Sequence, residues 1–252
     1  MHFAIPLICS NRADNWDNVQ FLLRRTIRSL INQTSPAWRA IICGQTRPDA
    51  VDLDPRVEYL NFNLPHSIND LSDKPPKVRQ MIQRLIDEKG EDGYFFMLDA
   101  DDLLHPELVN YMILRGDQSG YVLTRGYMMN EISRELGYHG FSKSISNSTC
   151  PFYLRCGSSA AIRMDTRDDN RFLTVLLNRG RHKTHVHSMA AFGLFLRHVP
   201  FASAIYCVNH GENLQLRKGR MEQKLRYIAR SRVADDRAKQ VLKQFGYGYL
   251  GD

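Results

Sequence analysis

The chain has 252 residues, of which 43% are hydrophobic and 24% charged, a composition typical of a globular protein that buries its own core without disulfides. No apolar run reaches the 18 or more residues that a bilayer-spanning helix needs, and the N-terminus lacks the basic and apolar regions of a secretion signal. Five cysteines without a Cys-x-x-Cys pair suit a reducing compartment. We therefore expect a single domain, residues 1–252, located in the cytoplasm.

The net charge of +7 is concentrated near the C-terminus. Residues 211–252 hold 10 Lys and Arg against 5 Asp and Glu, whereas the first 210 residues are nearly balanced, 24 against 22. This distribution argues against a nucleic-acid-binding surface spread over the protein. A solvated helix face would explain the basic excess. The alternative is peripheral contact with an anionic membrane surface or with an acidic acceptor.

Residues 1–125 alternate between apolar runs of strand length and amphipathic helical stripes. The predicted strands are 3–9, 38–43, 57–62 and 94–98. The predicted helices are 14–31 with Asp14 or Asn15 as its cap, one that opens at Pro75-Pro76 and ends at Gly90, and one that follows Pro106. Pro6 is expected at the start of its strand or at a bulge, because proline removes a ladder donor. The alternation predicts an α/β fold with a mostly parallel central sheet and flanking helices.

The second half is less regular. Short strands are predicted at 121–124, 160–164 and 204–208, a helical stretch at about 173–193, and one or two amphipathic helices over 219–245 with most basic residues outward. Loops in such a region often carry specificity. We expect three parts: 1–125, an irregular half at 126–210 and basic C-terminal helices at 211–252.

An acidic cluster, Asp99-Ala100-Asp101-Asp102, directly follows the apolar run 95–98. The carboxyl ends of parallel strands are where open α/β sheets bind ligands. Asp99 and Asp101 project to the same side of an extended segment, and crowded carboxylates suit a Mg²⁺ or Mn²⁺ ion. The alternative is a turn that merely caps the next helix, although His105 stands directly before Pro106 and is the better candidate for that cap.

The Ile5-Pro6 strand, the long helix after it and the Leu98-Asp99-Ala100-Asp101-Asp102 strand end together resemble the nucleotide-sugar-binding half of a GT-A glycosyltransferase, most similar to family 2. The resemblance covers about residues 3–125 and implies a Rossmann-like GT-A fold. It implies that Asp99 approaches the donor ribose and that Asp101 holds the cation that bridges the donor diphosphate. Gly44-Gln45 stands where family members usually have an aspartate that contacts uracil.

The resemblance adds further donor and metal candidates. Lys74, Lys77 and Arg79 have a position similar to the family's diphosphate contacts, with plain surface charge as the alternative. Donor-binding candidates at the ends of the first two strands are Pro6, Ser10, Arg12 and Gln45. His210 resembles the late histidine that many GT-A enzymes bring to the metal, and an ordinary loop histidine is the alternative.

The catalytic base is left open by the sequence. Family 2 enzymes usually supply Asp or Glu at a helix start in the second half, whereas residues 178–187 contain no acid. Substitutes are His182 and His185, or Asp168 and Asp169 just upstream. The two histidines, at i and i+3, would share a helix face, and could bind zinc or simply be solvated. Cys156-Gly157-Ser158-Ser159 is either a wall of the sugar pocket or a plain turn.

Together these features favour an inverting, metal-dependent glycosyltransferase of polysaccharide biosynthesis. It would move a sugar from a UDP- or GDP-linked donor to a glycan or lipid-linked acceptor. A nucleotidyltransferase of related fold is one alternative, but Ser10-Asn11-Arg12-Ala13 replaces the Gly-rich basic loop usual there. A catalytically silent carbohydrate-binding or scaffold protein is the other, favoured by the missing acid near residue 182.

Overall fold

The structure is a computed structural model that describes residues 1–63, 73–88, 92–140, 150–167, 169–213, 216 and 219–247. The strands are β1 His2–Pro6, β2 Arg39–Gly44, β3 Val57–Asn61, β4 Asp92–Met97, β5 Leu103–Leu104, β6 Gly120–Val122, β7 Gly126–Asn130, β8 Leu136–His139, β9 Ala160–Asp165, β10 Arg197–His198 and β11 Ala204–Val208. The helices are α1 Trp16–Ile31, α2 Lys74–Asp87, α3 Leu108–Arg115, α4 Asp169–Leu177, α5 His185–Ala191, α6 Met221–Arg230 and α7 Asp235–Gln244. None of these helices is long and apolar enough to cross a membrane.

Seven strands form the central sheet in the order β10-β6-β9-β4-β1-β2-β3. Every neighbouring pair is parallel except the two that involve β9, which is antiparallel to β4 and β6. A smaller sheet, β5-β11-β7-β8, has one parallel pair, β11 with β7. The predicted α/β fold with a mostly parallel central sheet is therefore confirmed.

The centre of the large sheet is buried on both faces because successive side chains of a strand point to opposite sides. Phe3 and Ile5 of β1 pack in a cluster with residues of α1, whereas Ala4 packs in a second cluster with residues of α2. The α1 helix begins after Asn15, whose side chain accepts a hydrogen bond from the Asn18 N–H at 3.0 Å. Of the two predicted caps, Asn15 is therefore the one used.

Pro6 is the last residue of β1, a central strand, and not its first residue or a bulge as expected. The Ala4 carbonyl accepts a hydrogen bond from the Leu98 N–H, so the backbone groups of residues 4 and 6 point toward β4. On the other side, the Leu7 N–H donates to the Cys43 carbonyl of β2. The pairing of β1 with β4 ends at Ala4 and Met97. The missing donor of Pro6 thus falls beyond the end of β4 and no ladder bond is lost.

The second half differs from the prediction in three places, one of which is the short strand β10, which was not predicted. The helical stretch 173–193 is two helices, separated by a segment in which Gly180 has φ +73°. Strands β7 and β8 were not predicted, and each contains a glycine that weakens the strand pattern. A Cβ on Gly126 would lie 2.6 Å from the Phe152 ring, and a Cβ on Gly137 would lie 2.7 Å from the Ile228 backbone. Close packing at both positions therefore requires glycine. The predicted end of α2 at Gly90 lies outside the described residues.

Candidate active site

The carboxyl ends of β1, β2 and β4 lie side by side because these strands are parallel neighbours. After β1 the chain forms a short 3-10 turn, Ser10–Arg12, and the Ser10 hydroxyl lies 2.8 Å from the Thr46 hydroxyl, two residues after β2. The structure therefore brings together the predicted Ser10, Arg12 and Gln45 at one edge of the sheet. Pro6 contributes the end of β1 to the same edge.

Asp73, directly before α2, lies at this edge and was not singled out from the sequence. Its Oδ2 accepts hydrogen bonds from the Gln45 amide at 3.2 Å and from the Lys77 ammonium at 2.6 Å. Burial opposes ionisation, but Lys77, Gln45 and Arg12 outweigh it and lower the pKa of Asp73. A carboxylate therefore stands beside Gln45, where the strand itself lacks the expected aspartate. Its one sequence signal is an aspartate at the start of a Lys-Pro-Pro helix.

The three predicted basic residues of α2 have different surroundings. Lys77 is fully buried and also donates to the Leu7 carbonyl at 2.5 Å, so its ammonium is not presented to a ligand. Arg79 is exposed, and lies about 200° around the helix from Lys77. Lys74 forms an ion pair with Asp99. Of the three, Lys74 is therefore the one placed beside the acidic cluster.

The N-terminus of α2 has few free backbone donors. Pro75 and Pro76 in its first turn have no N–H, and the Lys77 N–H bonds the Asp73 carbonyl. Phosphate binding by helix N–H groups is therefore weak here. A phosphate at this edge would depend on the ammonium group of Lys74, whose pKa is raised by Asp99, Asp101 and Asp102 against the opposing effect of burial.

Asp99 is held by the loop that follows a 3-10 turn at Phe152–Leu154. Its N–H donates to the Ser158 hydroxyl at 2.8 Å. A Cβ on Gly157 would lie 2.8 Å from Asp99 Oδ2, so glycine is needed for the carboxylate to occupy this position. The segment 156–159 therefore contacts the acidic cluster directly, and its glycine lets the chain approach Asp99 closely.

Asp102 has a structural role in the acidic cluster. Its side chain is fully buried and accepts from the Ser158 hydroxyl at 2.6 Å, the Cys156 thiol at 3.2 Å and the Cys207 N–H at 3.3 Å. Burial, reinforced by the charges of Asp101 and Asp99, raises the pKa of Asp102 well above its usual value. Asp102 thereby ties the end of β4 to β11.

Asp101 meets His210, which arrives from the far end of the chain after β11. The His210 Nε2 lies 2.7 Å from Asp101 Oδ2, and the Asn213 amide lies 3.4 Å from the same oxygen. The loop is fixed to the start of α1, because Glu212 accepts from the Asp14 and Asn15 N–H groups and the His210 carbonyl accepts from Asn18. Two residues predicted as metal ligands are thus adjacent although 109 positions apart.

The Asp101–His210 pair fits two neighbouring positions of an octahedral ion. Ligands at 2.0–2.1 Å from such an ion are about 2.9 Å apart, close to the observed 2.7 Å. Binding at Nε2 requires the ring proton on Nδ1, so the 3.3 Å hydrogen bond that Nδ1 accepts from the Glu212 N–H would have to break. Within the described residues no group of three His, Cys, Asp or Glu side chains could hold a metal. Two protein ligands suffice for an ion that is also held by substrate phosphates.

Of the predicted base residues, the structure describes the side chains of His182 and His185. His182 is half-buried in the turn before α5, and His185 is the first residue of that helix, so the two do not share a helix face as expected. Burial lowers the pKa of each histidine to about 4, and the charge of Asp99 acts on His182. Asp168 and the side chain of Asp169 lie outside the described residues. Of the candidates described, His182 is the one within electrostatic reach of Asp99.

No protein-family model matches the chain, and no curated protein matches it significantly. Among solved structures, a 4-diphosphocytidyl-2C-methyl-D-erythritol synthase is 10% identical over 89% of this chain and 99% of its own, with a TM-score of 0.42. A Desulfovibrio desulfuricans G20 protein assigned as a nucleotide-diphospho-sugar transferase is 12% identical over 95% and 97%, with a TM-score of 0.41. Such similarities are too low to carry a functional argument, so the proposal below depends on the site itself.

Proposed function

We propose that this protein is a metal-dependent glycosyltransferase that uses a nucleotide-diphosphate-sugar donor. The observation that carries the proposal is the arrangement at one edge of the parallel sheet. Asp99 and Asp101, which follow β4, pair there with Lys74 and His210. Polar residues follow β1 and β2 at the same edge. A diphosphate needs cationic partners, and a nucleoside needs hydrogen-bonding groups beside them. Both requirements are supplied at this one edge.

The nucleoside would lie over Ser10, Arg12 and Gln45, with Asp99 beside its ribose. Lys74 would contact the diphosphate as a point charge, since the first turn of α2 has few N–H groups to offer. Asp101 and His210 would hold the Mn²⁺ or Mg²⁺ ion. When bound, that ion neutralises the negative charge that develops on the departing nucleoside diphosphate.

His182 is our candidate for the base that takes a proton from the acceptor hydroxyl in an inverting reaction. Its lowered pKa keeps it neutral at pH 7, so its ring has a lone pair available. The negative charge of Asp99 favours the protonated ring that results from the transfer. Replacing His182 with Gln would then reduce transfer to the acceptor and leave binding of the donor unchanged.

A donor screen tests the proposal. UDP- and GDP-linked sugars are added with and without Mn²⁺ and the melting temperature is recorded, since a ligand at 100 times its Kd stabilises the fold by about 2.7 kcal/mol. We expect a Mn²⁺-dependent shift for one donor that disappears in Asp99→Asn. Pyrophosphate release from a nucleoside triphosphate and a sugar phosphate would instead identify a nucleotidyltransferase. No shift with any nucleotide would favour a silent carbohydrate-binding protein.

We also propose a glycan or lipid-linked acceptor, as in polysaccharide biosynthesis, and peripheral contact with anionic membranes. The support is the basic excess of residues 211–252, including the exposed Arg226, Arg230 and Lys239. Co-sedimentation with anionic liposomes should be strong at low salt and fall as salt screens charges beyond about 8–10 Å. Binding that is absent, or insensitive to salt, contradicts the membrane contact.

A further inference from the structure

Lys224 departs from the pattern of the C-terminal basic residues because it points inward. It lies on α6, is 9% exposed, and places its ammonium 4.7 Å from the centre of the Tyr206 ring and 3.5 Å from the Arg155 carbonyl. Burial, together with the like charges of Arg155 and Lys183, lowers the pKa of Lys224 to about 8. A desolvated ammonium is costly to fold unless an opposite charge compensates it.

Two neighbours of Lys224 each have one buried nitrogen without a hydrogen-bond partner among the described residues. The Arg155 guanidinium stacks 3.8 Å from the Tyr227 ring, and its buried Nε has no partner among the described residues. His139, at the end of β8, is 4% exposed and its Nε2 likewise has none. The charges of Arg155 and Lys224 both act on the His139 ring, which places the three side chains in one cluster. Within the described residues, neither cation forms an ion pair with a carboxylate.

This basic cluster, Lys224, Arg155 and His139, adjoins the acidic cluster through the segment 155–157. Arg155 directly precedes Cys156, which donates to Asp102, and Gly157, which contacts Asp99. His182 lies near both regions, since the charges of Asp99 and of Lys224 both act on its ring.

We propose that the basic cluster binds a phosphate group carried by the acceptor. This inference depends on the proposed function and specifies its acceptor class as a phosphorylated sugar or a lipid-linked sugar phosphate. Two cationic groups and a histidine nitrogen supply donors for several oxygens of one oxyanion. A phosphate held there would leave the attached sugar near the acidic cluster and His182.

Inorganic phosphate, titrated at constant ionic strength, is the probe for the cluster. We expect the melting temperature of the wild type to rise with phosphate, and Lys224→Met, which keeps the stem over Tyr206, to weaken phosphate binding about tenfold or more. Without phosphate, Lys224→Met should melt at or above the wild-type temperature, because a desolvated charge is removed. His139→Gln provides a second variant, and Lys239→Met, exposed on α7, is the matched control. An unchanged phosphate response in both Lys224→Met and His139→Gln overturns the proposal.

A second arm separates the acceptor from the donor as the source of the phosphate. The titration is repeated with saturating UDP or GDP and Mn²⁺. Unchanged phosphate affinity supports an acceptor site, whereas competition overturns it and assigns the cluster to the donor diphosphate. Phosphate binding in a protein that binds no nucleotide refutes the glycosyltransferase proposal and, with it, the acceptor role. In that case the titrations of the variants still report whether the cluster binds phosphate.

Discussion

Replacing Asp101 with Asn tests the proposed chemistry of the site most directly. The amide keeps the shape of the side chain and its oxygen can still accept from His210 Nε2, now 2.7 Å from Asp101 Oδ2. The negative charge is lost, and with it the hard oxygen ligand for a divalent ion. Lewis-acid assistance is worth several kcal/mol of barrier and each 1.36 kcal/mol is a factor of ten, so we expect transfer to fall about a hundredfold or more.

The stability of Asp101→Asn should change little. A charge-assisted hydrogen bond becomes a neutral one, at a cost of about 1 kcal/mol. Repulsion is relieved in compensation, because the charge of Asp101 contributes to the raised pKa of the buried Asp102. The assay is Mn²⁺-dependent donor hydrolysis or transfer, with melting temperature as a control and Asp236→Asn, at an exposed position of α7, as the matched variant. Near-normal Mn²⁺-dependent activity in a folded Asp101→Asn protein would refute the metal assignment.

Three further predictions follow from the same contacts. Gly157→Ala should displace Asp99, since the new Cβ would lie 2.8 Å from its Oδ2. We expect donor turnover to fall about tenfold with little change in melting temperature. Unchanged turnover would contradict the packing argument. Ser158→Ala removes the hydrogen-bond partner of the Asp99 N–H and of Asp102, and should lower the free energy of unfolding by about 2 kcal/mol. Calorimetry should show a melting temperature roughly 4–8 °C lower. An unchanged melting temperature would show that these groups find other partners. Burial lowers the pKa of His139 and His185 to about 4, below the unfolded value near 6.5, so protons bind the unfolded chain more tightly. Stability is then complete above pH 6.5 and falls toward pH 4, by up to about 3 kcal/mol for each histidine, and a double Gln variant should flatten that slope in pH-dependent melting.

The first half of the fold could be predicted because the hydrophobic residues of its strands and helices follow a clear spacing. A continuous apolar run marks β1 and β4, which are buried on both faces, and an amphipathic stripe marks α1. The second half could not be predicted as well, since β7 and β8 contain glycines that serve packing against Phe152 and Ile228. Nothing local in the sequence distinguishes such a glycine from one in a loop.

The residues of the candidate site could likewise be predicted only in part. Asp99 and Asp101 stand out because three carboxylates follow an apolar strand, and the resemblance to GT-A glycosyltransferases implied that His210 joins Asp101 at a metal. Asp73 and Lys224 did not stand out, because their significance comes from burial and from partners distant in sequence. A charged residue on an amphipathic helix is normally solvated. Only the tertiary structure shows that Lys77 and Lys224 are buried.

The contact between Glu212 and the start of α1 has a consequence for synthesis of the protein. It joins Glu212 to Asp14 and Asn15 across nearly 200 residues, and the same loop carries His210. During translation the β1–α1 unit leaves the ribosome long before this loop does, so a nascent chain ending before residue 210 has the acidic cluster but not its histidine. Such long-range closure is slow relative to local helix formation. The proposed site therefore becomes complete only when nearly the whole chain has been synthesised.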